Sequence, residues 1–255
     1  MTVSSGEGFD PRALAARLSG LEKAGEKAPT ADFVLPATLR EAMDAQNFLA
    51  AEERISTHAW KVAMSPTGEP VLAPLHPYFE AVSGASISWR PGMKFEAEVA
   101  VRLGQDLPVR QNGDYTREEI IDAIAECHLG AELLASSIEE SGQVSFLLYL
   151  AERIGNKGYV LGPALPKSIV DTIGNTTLKV THGGQVIYDA LARHPKDDVL
   201  VWLLAYANDK LRPHTSLKKG ALITTGTLCG AIELTSRGPI DIVLGNETRL
   251  SLSIV

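Results

Sequence analysis

The run Phe95-Glu96-Ala97-Glu98-Val99-Ala100-Val101-Arg102-Leu103 alternates with period two, the pattern of a half-buried strand. That alternation puts Glu96, Glu98, Ala100 and Arg102 on one face, with the two glutamate Cα atoms about 6.5–7 Å apart. Two carboxylates so placed can converge on one hard cation, such as magnesium, calcium or manganese. The same pattern also describes a strand face that is simply wet, and the pair alone leaves both readings open. Lys61 sits in the short apolar run Trp60-Lys-Val-Ala-Met64, ahead of a Pro/Gly segment. It either snorkels from a sheet edge or points into a pocket, where lost solvation would lower its pKa and suit it to move a proton or anchor a carboxylate. Glu132, in Gly130-Ala-Glu-Leu-Leu-Ala-Ser-Ser-Ile138, has apolar neighbours that suggest an inward side chain; a surface glutamate near a helix end is the alternative. Gly226-Thr-Leu-Cys-Gly230 follows a strand, and backbone N–H groups in such a glycine-flanked turn can receive a carboxylate, or the segment is a plain tight turn. The six histidines (58, 76, 128, 182, 194, 214) show no metal-ligand spacing, and there is no P-loop or GxGxxG motif.

These residues need elements to hold them. Asp10-Pro11 supplies an N-cap and a first-turn proline for a helix through Leu14, Leu18 and Leu21. Thr38-Leu-Arg-Glu41 is a capping box that opens a second helix reaching about Ile55. The two helices are expected to cap the remainder of the chain. Residues 60–64 read as a strand, the Pro-rich stretch through Pro70, Pro74 and Pro77 as an irregular loop, and residues 93–103 as the clearest strand. Thr116-Arg-Glu-Glu119 is a second capping box, predicting an amphipathic helix through Ile120, Ile121 and Ile124 toward His128. Later strands are expected over 177–181, 185–188, 221–225, 231–235, 240–243 and 249–255, with one helix over 196–211. Strands grouped late and helices early predict an α+β fold around a mostly antiparallel sheet.

The chain has 255 residues, 24 Lys and Arg against 31 Asp and Glu, and a formal charge of −7. This acidic balance offers nothing to attract nucleic acid or an anionic membrane. Hydrophobic residues make up 45% and charged residues 22%, which argues against a disordered chain. Cys127 and Cys229 are too few for a disulfide framework and have no zinc-type spacing. The N-terminal segment lacks the basic and apolar regions of a secretory leader, and no apolar run reaches the roughly 18 residues of a membrane span. A cytoplasmic protein is the expectation.

The order of several motifs carries a resemblance. Trp60-Lys-Val-Ala-Met-Ser-Pro66 precedes Arg90-Pro-Gly-Met-Lys-Phe-Glu-Ala-Glu-Val-Ala-Val101 and Ala131-Glu-Leu-Leu-Ala-Ser-Ser-Ile138. Lys157-Gly-Tyr-Val-Leu-Gly162, a helix at 194–211 and Leu217-Lys-Lys-Gly-Ala-Leu-Ile-Thr-Thr-Gly-Thr227 come after them. Over nearly its whole length the chain resembles the 2-keto-4-pentenoate hydratase and 4-oxalocrotonate decarboxylase group of the fumarylacetoacetate hydrolase superfamily. The resemblance implies a mixed, mostly antiparallel twisted β-barrel or roll with N-terminal helices: one domain over 1–255, with a helical portion over 1–58 and a catalytic portion over 59–255. It implies Mg2+ (or Mn2+) held by Glu96, Glu98 and Glu132, with Lys61 as the active-site lysine. Tyr78 stands where family members commonly carry an acidic residue, Ala135 and Ser137 where they tend to show Asp and Arg, and Ala151-Glu152-Arg153, followed by Ile154-Gly-Asn156-Lys157, where they have Ala-Asp-Asn. Tyr78, Asn156, Gly226 and Thr227 are the candidate substrate contacts.

The implied activity is a hydro-lyase adding water to a 2-hydroxy-2,4-dienoate such as 2-hydroxypenta-2,4-dienoate, as in breakdown of aromatic compounds. A 4-oxalocrotonate-type decarboxylase is an alternative. So is an acylpyruvate-type hydrolase, which would need a water-activating base; His58 lies near Lys61 but has no clear paired carboxylate. A non-catalytic partner of a decarboxylase–hydratase complex is the third. The expected partners are a 2-keto or 2-hydroxy-dienoic acid and further copies of the chain, a homo-oligomer.

Overall fold

The computed structural model describes residues 8–80, 84–141 and 143–255; residues 1–7, which open the segment read as lacking a leader, lie outside them. Helix α1 (Pro11–Ala24) starts where the Asp10 carboxylate accepts the Arg12 N–H at 2.8 Å, and ends at Gly25 in the left-handed region. Helix α2 (Leu39–Glu52) carries the expected capping box between Thr38 and Glu41. Strands β1 (Ala59–Met64), β2 (Pro70–Pro74), β3 (Tyr78–Glu80), β4 (Ala85–Ile87) and β5 (Lys94–Leu103) come next. The second capping box, Thr116 with Glu119, opens α3 (Arg117–Ala123), which passes directly into β6 (Ile124–Leu134). Then come α4 (Phe146–Ala151), β7 (Asn156–Leu165), α5 (Ile169–Thr172), β8 (Thr177–His182) and β9 (Gln185–Leu191). Helix α6 (Val201–Asn208) and strands β10 (Leu222–Thr227), β11 (Ile232–Glu233), β12 (Gly238–Leu244) and β13 (Thr248–Ile254) complete the order.

Three expectations are corrected. The helix predicted from Thr116 toward His128 stops at Ala123, and Glu132 stands on a strand instead of following a helix. Residues 129–134 are all buried, so this strand lacks the alternation that would have marked it. The Pro-rich stretch contains β2, where Pro70 and Pro74 occupy the two ends of an edge strand and their missing N–H groups cost little. The helix expected over 196–211 is the shorter α6.

The chain divides into two compact units. One joins the residues up to Ser56 with Ser136–Gly155. Its core is Leu14, Leu18, Leu49, Ile138 and Leu148, with Phe33 and Phe48 packed against it. The amide of Gln46 donates to the Leu150 carbonyl at 2.7 Å inside this unit.

The other unit holds Thr57–Ala135 and Asn156–Val255. Its described strands form a mixed sheet in the order β2-β1-β10-β5-β6-β7-β3, with β11 beside β5, and a second sheet in the order β4-β13-β12-β8-β9. Pairing is antiparallel except for β1–β10, β3–β7 and β4–β13. Phe95, Ala97, Val99, Val101 and Leu103 turn one face of β5 into a core shared with Ile240, Ile242, Leu250 and Leu252 of the second sheet. The opposite face of β5 is left to carry Glu96 and Glu98. No helix among the described residues is long and apolar enough to cross a membrane.

Candidate metal centre

Register builds the site. Residues opposed across paired strands project to the same face. One row runs Glu96, Glu132, Tyr159, Tyr78 across β5, β6, β7 and β3. The next runs Thr227, Glu98, Gly130, Leu161. A third runs Lys61, Thr224, Ala100. Carboxylate oxygens of Glu96, Glu98 and Glu132 therefore gather, all within 4.8 Å of one another, although Glu132 is more than thirty residues along the chain from the pair. Glu98 and Glu132 are buried, at 1% and 0% exposure. The predicted trio is brought together.

Both buried glutamates have an oxygen left over, and Glu132 has its other one held. Lys61 Nζ meets Glu132 Oε1 at 2.7 Å, and Asn156 Nδ2 donates to the same oxygen at 2.9 Å. Asn156 is fixed in turn by the His76 N–H, which donates to its Oδ1 at 2.8 Å. The Thr224 side chain draws the Glu98 carboxyl down, against the burial that pushes it up. Among the described residues, Oε2 of Glu98 and Oε2 of Glu132 have no partner. Burial pushes the Glu96 carboxyl up to about 7, with Lys61 opposing and Glu132 adding to the shift. Burial, then Glu132 and Glu96, raise Glu98 well above the carboxylate range. Three carboxylates against one lysine leave a net of two negative charges when ionised. Unpartnered buried oxygens, an oxygen-only donor set and that charge fit a divalent cation.

The other expected residues lie differently. Asn156 touches Glu132 itself, so its observed contact is with a carboxylate of the trio. The ring of Tyr78 stacks on Tyr159, centroids 6.4 Å apart, and its hydroxyl donates to Glu80 at 2.9 Å. Tyr159 thus stands between Tyr78 and the trio. Gly226 lies in a bulge of β10, at φ +108°, where a Cβ would come 2.3 Å from the Trp202 ring and 2.9 Å from His194 Nε2. His194 Nε2 donates to the Thr225 carbonyl at 2.9 Å while Nδ1 accepts the Lys196 N–H, so this histidine is a neutral buttress for the bulge. Thr227 sits beside Glu98, its hydroxyl bound to the Gly230 carbonyl. His58, read from sequence as lacking a paired carboxylate, has Glu80 at 3.8 Å; the pair is exposed and shares Glu80 with Arg102. Thr224 and Tyr159 are members of the site that the sequence reading misses. Only the cross-strand register reveals them.

A mixed sheet bearing buried carboxylates arranged for one hard cation defines a candidate metal-dependent enzyme. The fumarylacetoacetate (FAA) hydrolase C-terminal family model matches residues 41–250, and the chain belongs to that family. It is similar in structure to 4-oxalocrotonate decarboxylase from Pseudomonas putida G7, solved with magnesium and adipate and with calcium and acetate. Those likenesses cover 98% of this chain and 100% of that one at 17% identity, with TM-scores of 0.74 and 0.75. Fumarylpyruvate hydrolase from Pseudomonas aeruginosa, solved with Mn2+ and pyruvate, is similar over 77% of this chain and 88% of that one, at 15% identity and a TM-score of 0.53. Among curated protein sequences, none matches the chain. At these identities the structural likenesses speak for the fold.

Proposed function

We propose that the chain is a divalent-cation-dependent lyase acting on a 2-keto or 2-hydroxy-dienoic acid. We place decarboxylation of a 4-oxalocrotonate-type acid ahead of hydration of 2-hydroxypenta-2,4-dienoate. The observation that carries the reading is the pair of buried, unpartnered oxygens on Glu98 and Glu132, clustered with Glu96. Glu96, Glu98 and Glu132 would hold the cation, and the two packed sheets are taken as the family's twisted roll. A cation bound there supplies charge stabilisation for the C1 carboxylate and C2 oxygen of the acid, where negative charge gathers during reaction. Lys61 ties down Glu132 Oε1 and so keeps Oε2 turned to the site. Asn156 shares that task.

Hydration needs a side chain that passes a proton to or from water. At the position where relatives carry an acidic residue this chain has Tyr78, whose hydroxyl is committed to Glu80. Decarboxylation needs no activated water, only one proton for the enolate oxygen, which solvent supplies. The C–C bond to the departing carboxylate breaks, its electron pair moves through the conjugated chain toward the C2 oxygen, carbon dioxide leaves, and a proton returns to give the 2-hydroxydienoate. The full-length likeness to a decarboxylase solved with magnesium and adipate supports the same choice. To test it, carbon dioxide release from 2-oxohex-3-enedioate is followed with magnesium, after chelation and after magnesium is restored; release that stops and returns is expected. Equal turnover throughout would remove the metal role. Consumption of 2-hydroxypenta-2,4-dienoate without carbon dioxide release from the diacid would reinstate the hydratase.

A further inference from the structure

Tyr159 is fully buried, and among the described residues its hydroxyl has no hydrogen-bond partner. The ring is fixed from behind by Tyr78, nearly parallel at 11°. In front it lies over Gly130: a Cβ on that glycine would fall 1.7 Å from Tyr159 Oη and 2.5 Å from the ring carbon that bears it. The hydroxyl therefore occupies the place a side chain at 130 would take. Gly130 is the residue directly opposite Glu98. Cβ positions opposed in this way lie about 4.5–5.5 Å apart, so Oη is a close neighbour of Glu98. On its own strand Tyr159 is the cross-strand partner of Glu132.

Oε2 of Glu98, Oε2 of Glu132 and Oη of Tyr159 are thus three unpartnered buried polar atoms on residues that adjoin across the sheet. The first two are acceptors, and a cation satisfies them. The third is a hydrogen-bond donor, and a cation offers its proton nothing. Buried donors that stay unpaired are costly and rare in folded proteins. An acceptor oxygen on a ligand held at the trio would satisfy this one, in place of the water that otherwise pairs such buried groups. We propose that the Tyr159 hydroxyl donates a hydrogen bond to a carboxylate or enolate oxygen of the organic acid held at the trio, and that Gly130 is side-chain-free so that it can. This rests on the reading of the trio as a metal centre and adds a donor that selects ligands presenting an acceptor there.

The variant Tyr159→Phe keeps the ring and removes only Oη. Binding of Mn2+ alone, and of oxalate in the presence of Mn2+, is measured by titration calorimetry on the full chain and on the variant. The variant is expected to hold Mn2+ within twofold of the parent and to bind oxalate about 10- to 100-fold more weakly, the range for a hydrogen bond to a charged group. Its melting temperature without ligand is expected to be unchanged or higher, since the hydroxyl has no partner to lose. Unchanged oxalate affinity overturns the proposal. So does a loss of Mn2+ affinity as large as the loss for oxalate, or a fall of several degrees in melting temperature. A parent chain that binds no Mn2+ overturns the metal reading first; a parent that binds it beside a variant indistinguishable in oxalate affinity overturns this inference alone.

Discussion

Lys61 carries one charge against three carboxylates in a buried setting, and Glu132 shares an oxygen between it and Asn156. Breaking a buried ion pair by removing one member leaves the other uncompensated, at a cost of about 3–5 kcal/mol. Lys61→Met is therefore expected to lower the unfolding free energy of the metal-free protein by about that amount at pH 8, read from urea denaturation. Added magnesium should return part of the loss, because the cation replaces the missing positive charge. An unchanged denaturation midpoint would mean that the lysine does not hold the cluster. Legibility at this scale is uneven. Glu96 and Glu98 are visible from strand alternation, and Lys61 and Glu132 become specific through the family motifs. Asn156 is not legible as a carboxylate holder, because Glu132 lies 24 positions away and meets it only through strand pairing.

The elements are read best where a signal is local. Asp10-Pro11 and the two Thr/Glu capping boxes mark the starts of α1, α2 and α3, because each cap is made within four residues. Strand β6 escapes the sequence because a strand buried on both faces loses its period-two signature, and its first residues continue the apolar rhythm of α3. The bulge in β10 is legible only as a glycine-flanked turn. The structure shows Gly226 at a φ that favours glycine, under Trp202 and His194. Gly226→Ala combines a disfavoured backbone angle with overpacking, so a loss of about 2–3 kcal/mol is expected. Guanidinium denaturation should show a lower midpoint with an unchanged slope. A midpoint equal to the parent's would show that the bulge yields without cost.

At the scale of the whole molecule the buried carboxylates set a pH dependence. Glu96 at about 7 and Glu98 above the carboxylate range both have folded pKa values raised over the ordinary 4.5. A raised acid favours the folded state while it is protonated. That contribution is complete below pH 4.5 and is lost as pH climbs through 7. The metal-free protein is thus expected to lose melting temperature from this cluster between about pH 5 and pH 8. Magnesium should oppose the loss increasingly as pH rises, because it binds the ionised trio, and a ligand at 100 times its dissociation constant adds about 2.7 kcal/mol. Melting curves with and without magnesium across that range check both signs; parallel curves would show that the cluster does not take up the ion.

The helical unit is assembled from two separated stretches of chain, with Ile138 and Leu148 packed among Leu14, Leu18 and Leu49. Its amino-terminal half is consequently no detachable appendage. Deleting the residues up to Ser56 would strip the cover from a greasy patch in the middle of the chain, inviting clumping instead of yielding a smaller working enzyme. Any graft or shortening has to treat both stretches as one piece.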